Sequence, residues 1–134
     1  MTDQELMNEL QELTVGLTWM SESDYPCEPF SWEEIDPNSF QAQDLLHHIG
    51  YAPNTPLEIQ SLEEFFTPAI QEQDWHNEAE QAQVKRYQAL MNFLKDNLNN
   101  IQVYKVAKVE IDVYILGKTT NGNLDGVKTK VIET

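Results

Sequence analysis

Hydrophobic positions along the chain follow two periods, first helical and later alternating. Leu6, Leu10, Leu13 and Leu17 recur on one helical face. Thr2-Asp3-Gln4-Glu5 stands ahead of them, a hydroxyl with a carboxylate three residues on, which is the form of a capping box. With Gly16 near the end, a first helix is predicted over about 3–15. Acids and aromatics crowd residues 17–36, where Pro26 and Pro29 forbid a long helix. Phe30-Ser31-Trp32-Glu33-Glu34-Ile35 reads as a short strand. Asp36 and Pro37 offer a cap and a first-turn proline for a helix from about 37 to 49, closed by Gly50. After a proline-punctuated loop, Leu57-Glu58-Ile59 alternates as a strand does. Ser61-Leu62-Glu63-Glu64 is a second capping box, opening a short helical turn that Pro68 is expected to stop.

The longest helix is predicted over 76–98, where Val84, Tyr87, Met91, Leu94 and Leu98 step by three and four. Asp74 is positioned to cap it. Beyond Asn99-Asn100 the period becomes two. Val109, Ile111, Val113 and Ile115 share one face, and Glu110, Asp112, Tyr114 and Leu116 the other. Gly117, Gly122 and Gly126 mark 117–126 as a hairpin loop, and Val127, Thr129 and Val131 alternate in a last strand that runs nearly to Thr134. Helices first and strands last predict an α+β fold with a mainly antiparallel sheet. The central strand is apolar on one face and half apolar on the other, so helices on both faces, a three-layer α/β/α sandwich, are expected. No repeat or linker divides the 134 residues, which are expected to form one domain, 1–134.

Charge adds the loudest signal. The net charge is −15, with a pI of about 4.3. Residues 1–84 hold 18 acids and no Lys or Arg, whereas residues 85–134 hold eight bases against five acids. A surface this acidic repels phosphate backbones, which argues against direct nucleic-acid binding, and it attracts basic partners. No run of 18 apolar residues is present to span a membrane. The first residues have no basic segment or apolar stretch of a secretory signal. Cys27 is the only cysteine, so no internal disulfide is available, which fits a reducing cytoplasm.

Catalytic motifs are scarce. The sequence has no Gly-rich phosphate loop, HExxH, CxxC, GxSxG or EF-hand pattern. His47 and His48 would point about 100° apart on a helix, a poor arrangement for one metal and a good one for a helix C-terminus. Cys27 has no nearby base to activate it. Neither a cofactor nor an intrinsic metal is therefore expected. Three places stand out as contact candidates. Ser21-Glu22-Ser23-Asp24-Tyr25-Pro26 is an ordinary turn by composition, or one holding Glu22 or Asp24 toward a cation. Trp75, in Gln73-Asp74-Trp75-His76, falls off the stripe of the long helix, either as an interface anchor beside acids or as a lid on the core. If the last strand is paired, Glu133 and the Thr134 carboxylate are held on a rigid element, a compact anion resembling one face of a phosphate.

Ser21-Glu22-Ser23-Asp24-Tyr25-Pro26, Gln73-Asp74-Trp75 and the C-terminal stretch together resemble the nuclease A inhibitor family. Most specific are Gln102-Val103-Tyr104, Val109-Glu110-Ile111-Asp112-Val113-Tyr114, Gly122-Asn123-Leu124 and Thr129-Lys130-Val131-Ile132-Glu133-Thr134. The resemblance is thinnest over 37–60, and Cys27 stands where a bulky apolar residue is expected. It implies a small acidic cytoplasmic protein that is no enzyme and blocks a sugar-non-specific DNA/RNA nuclease of the ββα-metal type; that the free protein is a monomer is expected from the absence of a second apolar stripe. It also implies a sandwich similar to pathogenesis-related-1 proteins. The contacts it implies are Glu22, Trp75 and Thr134, with the terminal carboxylate presented to the nuclease's Mg²⁺. Two rival expectations are a general acidic nucleic-acid mimic that binds many basic proteins, and a small hydrolase pairing Glu22 with Asp24.

Overall fold

A computed structural model describes residues 2–17, 25–32, 40–70, 77–108, 110–119 and 122–132. Its elements run α1 (Asp3–Thr14), β1 (Glu28–Trp32), α2 (Ala42–His48), β2 (Leu57–Gln60), α3 (Leu62–Ile70), α4 (Glu78–Asn97), β3 (Asn99–Val106), β4 (Glu110–Lys118) and β5 (Leu124–Ile132). The five strands form one sheet in the order β1-β5-β4-β3-β2, and every pairing is antiparallel. The α+β class with an antiparallel sheet therefore stands.

Local chemistry explains most helix starts. In α1 the Glu5 amide donates to the Thr2 hydroxyl at 3.1 Å, and the Thr2 amide reaches the Glu5 carboxylate at 3.4 Å. The Glu64 amide donates to the Ser61 hydroxyl at the head of α3. Gly50 takes φ +85° after α2, a left-handed turn that glycine adopts without strain.

Several expectations are corrected. The second helix does not run from 37: it begins at Ala42, with Gln41 extended as its cap and the Gln41 amide donating to Asp44 at 2.8 Å. The proposed Asp36-Pro37 start lies outside the described residues. Pro68 does not stop α3, which continues to Ile70. A proline near a helix end forfeits one backbone bond, and Ile70 beyond it is packed against the core. Asn77, not Asp74, caps α4, accepting from the Glu80 amide at 2.8 Å. The strand expected at 30–35 starts at Glu28. Gly117 and Gly126 are not in the hairpin loop; they lie inside β4 and β5, and the chain turns around Gly122 at φ +88°. Both strand glycines serve close approach: a Cβ on Gly117 would come within 2.8 Å of Leu98 Cβ.

The alternation of β4 sorts the core into two clusters. Ile111, Val113 and Ile115 pack with Leu6 and Leu10 of α1, Leu62, Phe65 and Phe66 of α3, and Tyr87, Leu90 and Leu94 of α4. Leu116, on the other face, packs with Leu45 and Leu46 of α2, and with Phe30, Tyr104, Val106 and Leu124. The helical stripe of α4 is buried as expected at Val84, Tyr87 and Leu94, with Leu90 added and Met91 only packed at its margin. The end of the second face near Glu28, Lys128 and Lys130 borders an open groove of about 230 Å³.

Candidate functional site

All five contact candidates (Glu22, Asp24, Trp75, Glu133 and Thr134) lie outside the described residues. The described residues are the framework from which those segments start. Leu17 and Tyr25 are the described residues on either side of the stretch that carries Glu22 and Asp24. Leu17 is buried because it continues the apolar face of α1, and Cys27 is buried on the same core. The Cys27 amide donates to the Leu17 carbonyl at 2.9 Å, so the described residues on the two sides of that stretch are joined as a closed stem.

Both feet of that stem are gripped from elsewhere. After Thr14 the chain turns through Gly16 at φ +68°. The Arg86 guanidinium of α4 donates to the Val15 carbonyl at 2.6 Å and the Leu13 carbonyl at 3.2 Å. The last turn of α1 contains no base of its own, so this cation supplies the positive charge that a helix C-terminus favours. At the returning foot, the Thr129 hydroxyl of β5 donates toward the Pro26 carbonyl at 3.1 Å and the Tyr25 carbonyl at 3.4 Å. Lys130, the next residue, places its ammonium 5.5 Å from the centre of the Tyr25 ring, within the range of a cation–π contact. Successive strand residues face opposite ways, so β5 holds the Tyr25 corner from both faces of the sheet.

A polar chain backs Lys130. Its ammonium lies 3.8 Å from Asp112 on β4, a pair set by the cross-strand register of Asp112 with Lys130. The Tyr51 hydroxyl donates to the other oxygen of Asp112. That hydrogen bond to a carboxylate pushes the Tyr51 phenol up to about 12, so the donor stays protonated throughout the physiological range. The same strand carries toward the C-terminus: β5 remains paired as far as Ile132 opposite Glu110. The expected paired last strand is thus present up to two residues before Thr134. The segment bearing Trp75 starts from a different support. Its preceding residue Ile70 has its carbonyl held by the Gln88 carboxamide at 2.8 Å, and its following residue Asn77 caps α4.

Burial pushes the Cys27 thiol up to about 11, more than the neighbouring Thr129 hydroxyl and the Arg86 charge lower it. At pH 8 roughly a thousandth of it is thiolate, and the thiolate is the reactive form. Iodoacetamide at pH 8 is therefore expected to leave the native protein unmodified over the time in which the urea-unfolded chain is fully alkylated. Equal rates in the two states would show that the thiol is not enclosed. Because folding raises this pKa, the neutral thiol's contribution to stability is complete below about 9 and is lost as the pH rises toward 11. His47 and His48 close α2 as expected, and the His48 ring packs tilted at 53° against Trp32 with ring centres 4.3 Å apart. Among the described residues no group of three His, Cys, Asp or Glu side chains is placed to hold a metal ion. No helix among them is long and apolar enough to cross a membrane.

Sequence reasoning did not single out Thr129, Lys130, Asp112, Tyr51 or Arg86 as parts of a site. The one local signal was the alternation that set Asp112 and Tyr114 on a face apart from Ile111 and Val113. No curated protein matches the chain. The family model of nuclease A inhibitor-like proteins matches residues 4–134, nearly the whole length, including the stem, the paired last strand and its end. The chain belongs to the nuclease A inhibitor-like family.

Proposed function

We propose that the protein is a non-catalytic inhibitor of a sugar-non-specific, Mg²⁺-dependent DNA/RNA nuclease of the ββα-metal type, and that it works by occupying the active site. The observation that carries this reading is the family match over residues 4–134. The charge asymmetry agrees with it. A nuclease cleft binds a polyanion, so it is electropositive and holds a divalent cation. An inhibitor with 18 acids and no Lys or Arg in its first 84 residues is drawn to such a cleft by the cleft's own field.

Steering is screened within about 8 Å at physiological salt, so lasting affinity needs desolvated anchors. In this reading Glu22 and the Thr134 carboxylate supply charge-assisted hydrogen bonds, Trp75 supplies apolar area, and Asp24 and Glu133 extend the acidic surface. The carboxylate of Thr134 approaches the nuclease's Mg²⁺. The protein needs no cofactor and acts in the cytoplasm as a monomer until it meets its partner. The two core clusters on opposite faces of the sheet support reading the fold as a three-layer sandwich like that of pathogenesis-related-1 proteins.

The deciding experiment is a titration of the purified protein against a sugar-non-specific nuclease in Mg²⁺, following survival of plasmid and RNA. Protection of both substrates at about one equivalent is expected; undiminished cleavage of both at large excess would refute the assignment. Within that assay, Glu22→Gln and Trp75→Ala are each expected to cost about 1–4 kcal/mol of binding, the range of interface anchors. Two variants as potent as the parent would remove these residues from the contact surface while leaving the inhibitory function in place.

A further inference from the structure

We infer that a pocket at the Lys118 end of β4 binds a small organic monoanion, a carboxylate carried on a single-ring hydrocarbon body. Binding there does not depend on the inhibitory role proposed above.

Strand register builds the pocket. Side chains of β4 alternate, so Leu116 and Lys118 project to the second face, and Lys118 stands opposite Leu124 of β5. On the other side, Gln102 of β3 is in register with Leu116. With Phe40 and Tyr104 these residues border a space of about 220 Å³. Drug-sized sites run to about 300–1,000 Å³, so this one suits a single ring. Leu116 and Leu124 are each 3 % exposed and make an apolar floor. The Phe40 and Tyr104 rings meet edge to face, 6.0 Å between centres, and make a wall.

The rim is made of donors. The Tyr104 hydroxyl donates to Gln102 Oε1 at 2.9 Å. With its oxygen engaged, the Gln102 carboxamide has its two N–H donors to offer. Asn100 takes φ +53° at the break in β3–β4 register between Asn99 and Gln102. Asparagine tolerates this left-handed conformation. Such bulges re-aim side chains beside sites, and Asn100 lines the pocket. Lys118 carries the only charge among the described residues that line it, and none of the described carboxylates forms an ion pair with its ammonium.

Charge decides the ligand class. The net charge of the chain is −15, so a place that holds an anion must be locally cationic. One ammonium compensates one negative charge. A phosphate ester carries about −1.5 to −2 at pH 7, and its second charge would stand uncompensated. A carboxylate carries one, and its two oxygens can accept from the ammonium and a carboxamide together. The leucine floor and the aromatic wall take the hydrocarbon body out of water.

The test is a titration of the whole chain with sodium benzoate at pH 7 and constant ionic strength, followed in ¹H–¹⁵N correlation spectra. Saturable shifts are expected at the backbone amides of Gln102, Tyr104, Leu116 and Lys118 and at the Gln102 side-chain amide, with a Kd of about 1 mM, a one-ring fragment's affinity. Benzylammonium has the ring with the opposite charge, acetate the charge without the ring, and phenyl phosphate the ring with a second charge. Each is expected to bind at least about tenfold more weakly than benzoate. Lys118→Gln is expected to weaken benzoate by at least about the same factor. Gln102→Glu, at an exposed position, places a carboxylate on the rim and is expected to abolish the shifts. Benzoate without saturable shifts at these residues, any of the three control compounds bound as tightly as benzoate, or either folded variant binding benzoate like the parent overturns the inference. Because the readout is binding, the result stands whether or not the chain inhibits a nuclease.

Discussion

Adding a short peptide tag after Thr134, or converting its carboxylate to the amide, is expected to weaken nuclease inhibition at least tenfold, with the same tag at the N-terminus nearly harmless. The structural basis is the pairing of β5. From Leu124 to Ile132 every residue is in register with β4, Ile132 opposite Glu110, so the described pairing reaches the second residue before Thr134. A carboxylate on such a root can be presented at a defined position; one on a long free tail would spend its attraction on ordering itself. Leaving a buried charge without its counterpart costs about 2–5 kcal/mol at an interface, and about 1.4 kcal/mol is already tenfold. Amidation separates charge from bulk, because it removes the negative charge with almost no change in volume. A tagged protein and an amidated protein that both inhibit like the parent would take the terminal carboxylate out of the mechanism.

Gly126→Ala is expected to be the most damaging single methyl in the sheet, destabilising the fold by more than about 3 kcal/mol in urea unfolding. Gly126 lies in β5 between Phe30 of β1 and Leu116 of β4. A Cβ there would fall 1.7 Å from the Ile115 carbonyl oxygen and 2.8 Å from its carbon. Both atoms are backbone, so no side chain can turn aside, and relief requires β4 and β5 to separate. Its neighbour is equally intolerant of movement: Asp125 is fully buried and accepts from the Ser31 hydroxyl of β1 at 2.6 Å. Gly122→Ala is the control. It has φ +88° but open space around a Cβ, so only the left-handed strain of about 1–2 kcal/mol is expected. Equal stabilities for the two variants would contradict this strand packing. Because the clash acts on the fold as a whole, Gly126→Ala is expected to impair inhibition in proportion to the unfolded fraction.

What could be read from the sequence was what neighbouring residues decide among themselves. The capping box of Thr2 and Glu5, the three-and-four stripe through Val84, Tyr87 and Leu94, and the alternation of Ile111, Val113 and Ile115 are each complete within a few residues. Their physical cause is local periodicity, and the structure retains all of them. The misreadings share the opposite cause. Gly117 and Gly126 look like turn glycines until another element is seen to approach them. Asp36-Pro37 is the exception, a local competition: α2 begins at Ala42, where Asp44 three residues after Gln41 receives the cap amide.

The candidate site divides along the same line. Glu22, Asp24, Trp75, Glu133 and Thr134 were nominated by acidic patterning and by resemblance, both properties of short stretches. The residues that hold their roots were not nominated because their partners are far away in sequence. Thr129 reaches carbonyls 103 and 104 positions earlier, and Arg86 reaches carbonyls 71 and 73 positions earlier. Nothing in the spacing of a threonine within an alternating strand distinguishes one that points into a core from one that ties down a distant corner.

The enclosed thiol of Cys27 makes the natural protein its own blank for fluorescent tagging. A cysteine introduced at Val15, 71 % exposed and beside the stem, would be the sole sulfur a maleimide dye reaches in the folded state. Such a probe would report in real time whether a nuclease binds beside this stem, one dye per molecule, with no native cysteine to remove first.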